Sequence, residues 1–162
     1  MPIWVAVLLF HNLLHEGVHY AAARAFGEPV AEVRLFTNGW GTSQVIYATP
    51  VAERVGAHWL VIAWLPAVVT VSIGYLVYLN RGRLTRAGHP LIRVAVWYAG
   101  IVFLLLDPFY YGVVSVFAGG DVDAVAAVGW SPWPVRLVAL GVLAVNSRLV
   151  LRWARELQVG RR

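Results

Sequence analysis

The sequence predicts a multi-spanning α-helical membrane protein, with about four transmembrane helices, a small β-hairpin after the first and a Pro-broken third. Three observations carry that reading. Of 162 residues, 60% are hydrophobic, and the mean hydropathy is +0.69, more apolar than a soluble globule of this size. The apolar residues fall into four runs of roughly membrane-spanning length. All 13 basic residues are arginine, and most lie between the runs, beyond them or near their ends, where they act as topology signals and give no sign of a nucleic-acid surface.

The first predicted span covers residues 3–26 and stops at Gly27-Glu28-Pro29, because proline disfavours helix in the residue before it. Met1-Pro2 supplies no basic leader, so this run is expected to be a span and not a cleaved signal peptide. Residues 30–50 are β-prone, with short pieces over 30–36 and 44–48 around the turn-rich 37–43, and predict a hairpin at the membrane surface. A second span covers 55–79 and contains Pro66, which is tolerable where neighbouring helices satisfy the carbonyl it frees. The basic stretch 80–86 is expected to be a loop. Residues 91–118 form a third run, longer than one straight crossing needs, with Asp107-Pro108 inside it. A polar stretch follows from Gly119, with a short helix to Val128 and a turn at Ser131-Pro132-Trp133-Pro134. The fourth span covers 135–153. The whole of 1–162 reads as one integral-membrane domain. Seven arginines, in the 80–86 loop and the C-terminal tail, lie on one predicted side and place both termini in the cytoplasm of a multi-pass cell-membrane protein.

Chemistry concentrates in the first span. His15, Glu16 and His19 form H-E-x-x-H, which on a helix sets two imidazoles one turn apart with a carboxylate beside them. Charged groups in a bilayer span are costly, about 2.5 to 3.5 kcal/mol at the centre even on lenient scales, so they need a metal, a partner or a polar cavity. Cysteine is absent, which leaves His, Asp and Glu as metal ligands, and Zn2+ is the cofactor this pattern implies. Catalytic zinc takes three protein ligands. The candidates for the third are Asp107, Asp121, Asp123, His11 and His58. At 1.5 Å per residue, His15 and His19 lie roughly 18 and 24 Å into their span and Asp107 roughly 24 Å into its own. Asp107 is therefore the expected third ligand. Asp121 is the alternative, reachable only if the chain folds back after Pro108. His11, one turn before His15, is expected to line the cavity or support a ligand.

These parts suit peptide hydrolysis, in which zinc acidifies a water, Glu16 takes its proton as general base, and the proton passes to the leaving amine. The substrate has to be extended, and a hairpin edge between Val30 and Ala48 can hold it by strand addition. A rival reading makes the same His/Asp cluster a non-proteolytic metal-binding or ion-transport path. A third, bis-histidine haem ligation by His11 or His15 with His58, would colour the protein.

His15-Glu16-Gly17-Val18-His19 in a span, a β-prone segment, and a Pro-broken span with a buried Asp together resemble the site-2 protease family of intramembrane zinc metalloproteases. The likeness is to its compact branch, in which an Asp inside a span precedes a second Asp near a short helix, as Asp107 and Asp121 do. It runs from Leu8 to about Trp133. The resemblance implies a zinc endopeptidase whose partners are the lipid bilayer and a membrane protein or peptide substrate, with no nucleic acid. Gly17-Val18 stands where the family commonly has Leu-Gly, and the family's Asn-Pro-Asp-Gly and Leu-Asp-Gly strings are missing. Family members usually open their site toward the cytoplasm, whereas the arginine count puts residues 30–50 outside.

Overall fold

The computed structural model describes residues 1–37, 42–86 and 89–159. The centre of the turn predicted over 37–43, and Arg161 and Arg162 of the tail, lie outside them. In chain order the elements are α1 (Ile3–Ala25), β1 (Val30–Thr37), β2 (Thr42–Tyr47), α2 (His58–Thr85), α3 (Pro90–Phe109), α4 (Ser115–Ala118) and α5 (Trp133–Val159). Single 3-10 segments occupy Val51–Glu53 and Asp121–Val128, and a wide π-turn, Tyr110–Val114, joins α3 to α4.

Among the described residues, three helical stretches are long and apolar enough to cross a membrane: His58–Thr85, Pro90–Ala118 and Trp133–Leu157. The sequence predicts four. α1 has the length, 23 residues, but His11, Asn12, His15, Glu16 and His19 dilute its apolar character. It packs instead between α2 and α3, which turns those polar groups inward, while α3 also packs on α5. His11, Glu16 and His19 are all buried. The outer faces are apolar, with Phe10, Leu79, Leu137 and Val138 exposed, as expected of side chains that meet lipid rather than water.

The basic stretch 80–86 is not a loop. α2 runs on to Thr85, and polar side chains there bond carbonyls of their own helix: Asn80 Nδ2 donates to Leu76 O at 2.9 Å and Arg81 Nη1 to Tyr78 O at 2.8 Å. Arg81 also forks onto Glu156 of α5 at 2.9 and 3.2 Å. Earlier in α2, Gly74 lets two backbones meet, since a Cβ there would lie 2.8 Å from the carbonyl carbon of Phe103.

The third run does not end at Pro108 either. Proline in a helix removes the amide that would bond the carbonyl four residues earlier, here Leu104. Asn146 of α5, fully buried, fills the gap by donating Nδ2 to Leu104 O at 2.7 Å and accepts the Tyr75 hydroxyl at 2.6 Å. The helix passes through Pro108 and widens into the π-turn. Ser115 caps that turn, its Oγ donating to Tyr111 O at 2.7 Å.

The predicted hairpin is present as a two-stranded antiparallel sheet pairing Val33 with Val45 and Arg34 with Gln44. Register shifts on either side of those pairs explain why neither strand alternates cleanly in sequence.

Candidate metal centre

α1 presents its imidazoles to two carboxylates from different elements. His15 Nε2 lies 3.6 Å and His19 Nε2 3.2 Å from the same oxygen, Oδ2 of Asp121. Asp107 lies on the other side of His15, its Oδ1 3.2 Å from Nδ1. Ligand atoms of His15, His19 and Asp121 all fall within 4.8 Å of one another, the geometry of a group able to share one ion. Asp107 belongs to no such group among the described residues.

The far nitrogens of both imidazoles are held. His19 Nδ1 lies 2.8 Å from the carbonyl oxygen of Ile62, and a carbonyl can only accept, so Nδ1 carries the proton. His15 Nδ1 meets an Asp107 carboxylate, another acceptor. In both rings Nε2 is the nitrogen left for a metal, and it faces Asp121. This is the arrangement in which a backbone carbonyl or carboxylate behind each histidine fixes its tautomer for metal binding. The donor set, two imidazoles and one carboxylate, suits zinc.

Asp107 is itself deeply embedded, 4% exposed. It accepts from the hydroxyl of Thr70 on α2 and lies 3.4 Å from His11 Nε2. His11 is 1% exposed, stacked near His15 and edge-on to Phe103 at 5.0 Å. His58 is not part of the cluster. Its Nε2 pairs with Glu28 at 2.8 Å, beside Trp59.

Asp121 reaches the cluster because the chain does fold back. Gly119 and Gly120 both adopt positive φ, 68° and 107°, a conformation open to glycine and strained for other residues. A Cβ on Gly120 would also strike the Tyr110 hydroxyl. Arg136 of α5, buried, clamps the turn from the opposite side: Nη2 donates to Ser115 O at 2.9 Å and lies 3.4 Å from Asp123 Oδ1. Asp123 is thereby accounted for as an ion-pair partner.

Glu16, next to His15, is buried and is approached from β2, whose Val45 backbone amide faces its carboxylate. On the outer side of α1 an apolar groove of about 590 Å³ runs past Gly17, lined by Phe10, Leu13, Ala21 and Leu65 among others.

Several contributors are not evident in the sequence. Tyr111 donates its hydroxyl to Ala63 O at 2.6 Å and stands 3.3 Å from Asp121 Oδ2; its spacing of one turn from Asp107 was the available signal. Thr70 and Arg136 gave none, since a threonine within a span and an arginine at its end are unremarkable.

No protein-family model, curated protein or solved structure matches the chain.

Proposed function

We propose that the protein is a multi-pass zinc endopeptidase of the cell membrane, cutting peptide bonds in or near membrane segments. The observation that carries the reading is the convergence of His15 Nε2, His19 Nε2 and Asp121 Oδ2, with each imidazole anchored from behind and Glu16 adjacent. In this proposal His15, His19 and Asp121 are the ligands. Asp107 orients His15 instead of serving as the third ligand, and His11 stands behind Asp107. Zinc, when bound, would lower the pKa of a water and polarise the scissile carbonyl.

The remaining steps fall to the chain. Glu16 takes a proton on its carboxylate and returns it to the leaving amine. The hairpin holds the substrate extended, because a helical substrate hides its carbonyls and because β2 is the strand that contacts Glu16. The groove beside Gly17 accommodates apolar side chains. The likeness of the H-E-x-x-H span, hairpin and paired aspartates to the site-2 protease family supports the same conclusion.

A second reading, a metal-binding or ion-transport protein, draws on the polar chain of Thr70, Asp107 and His11 that extends the cluster deeper into the helices. Chelation separates the two. Stripping zinc from the protein in nanodiscs should abolish cleavage of a membrane-anchored reporter peptide, and added zinc should restore it. Cleavage that persists in the metal-free protein would contradict the proposal, whereas zinc-dependent ion flux without cleavage would favour the rival.

A further inference from the structure

Pro66 lies inside α2 and is fully buried. The carbonyl that a helical proline frees is the one four residues earlier, which is Ile62. That oxygen is the partner of His19 Nδ1 at 2.8 Å. The next carbonyl, Ala63, takes the Tyr111 hydroxyl at 2.6 Å. Both acceptors that the Pro66 turn exposes are thus occupied by side chains of the candidate metal centre and its surroundings.

We infer that Pro66 is a positioning residue: by withholding an amide from Ile62 O, it dedicates that oxygen to His19 and locks the imidazole with its lone pair on Nε2, toward Asp121. The functional consequence rests on the metal reading, but the imprint on the ring does not. A neutral imidazole carries its proton on either nitrogen, and the hydrogen bond decides which. The Tyr47 hydroxyl, 3.3 Å from the same Nδ1, would otherwise be free to donate to that nitrogen and drive the proton to Nε2. An amide at position 66 would compete for Ile62 O and draw it back along the α2 axis, removing the bond that prevents this exchange. Pro108 shows the same device put to another use. Its freed carbonyl, Leu104 O, is met by an amide from α5, and no candidate metal ligand is involved.

The experiment uses the full chain in detergent with 15N-labelled histidine, comparing wild type with Pro66→Ala and Pro66→Val. The second variant keeps most of the proline's volume and still restores the amide. His19 is assigned by the signal lost in His19→Asn. In metal-free wild type, His19 should show the Nδ1–H tautomer. Both variants should shift toward a mixture and bind zinc about 10-fold more weakly, with an unchanged or higher Tm because the helix gains a hydrogen bond. Unchanged tautomer and affinity in both variants would overturn the inference, as would an Nε2–H tautomer in wild type. An effect in Pro66→Ala alone would also overturn it, since packing would then be the cause. A tautomer shift in a protein that binds no zinc even as wild type would instead remove the metal reading and leave the role of Pro66 standing.

Discussion

Asp121→Asn should weaken zinc binding by about 100-fold, while Asp107→Asn should weaken it by only about 10-fold. The first figure follows from apparent binding energies of about 10 to 16 kcal/mol shared among four ligands, roughly 3 kcal/mol each, where each 1.4 kcal/mol is about tenfold. The second is the lower end of what loss of a supporting hydrogen bond costs, about 10 to 100-fold, because the amide oxygen of the introduced asparagine can still accept from His15 Nδ1. The two carboxylates differ in which nitrogen they face. Asp121 shares one oxygen between both Nε2 atoms, whereas Asp107 meets His15 from behind. Competition titration against a chelator of known affinity, on variants checked for folding by circular dichroism, gives the comparison. A larger loss in Asp107→Asn would mean that His15 binds zinc through Nδ1, the nitrogen that already faces Asp107, and Asp107 would return as the ligand.

Glu16→Gln should reduce peptide hydrolysis by about 100 to 10,000-fold, the usual contribution of a positioned general base, with zinc binding unchanged. Glutamine keeps the shape and an acceptor oxygen toward Val45 but cannot take the proton. Glu16 also belongs to no metal-holding group among the described residues. Turnover of the reporter peptide and zinc content are both measured on the same preparation. Retained turnover would exclude Glu16 as the base, and lost zinc would make it a ligand.

The sequence makes the centre of this arrangement legible because H-E-x-x-H depends only on local helix geometry. The apolar runs show the long helices for the same reason. What cannot be read is what depends on the chain reversing direction. Rise per residue brings Asp107 to the level of the α1 histidines, but the same arithmetic carries Asp121 past them. Only the positive φ of Gly119 and Gly120, held by Arg136 and Tyr110, returns it. The helix ends are misread for a related reason. Asn80 and Arg81 look like loop residues by composition, yet α2 continues through them, and their side chains bond carbonyls of their own helix. Pro108 looks like a break, yet the chain stays helical through it and then widens into the π-turn, while Asn146, 38 positions later in the chain, bonds the carbonyl that Pro108 frees.

The most direct test of a His15, His19 and Asp121 metal centre is the zinc content per chain of gently purified wild type, by elemental analysis, beside His15→Ala and His19→Ala. The expected result is one zinc per chain in wild type and far less in both variants, each still folded. Folded wild-type protein without zinc, or variants that retain a full equivalent, would contradict it.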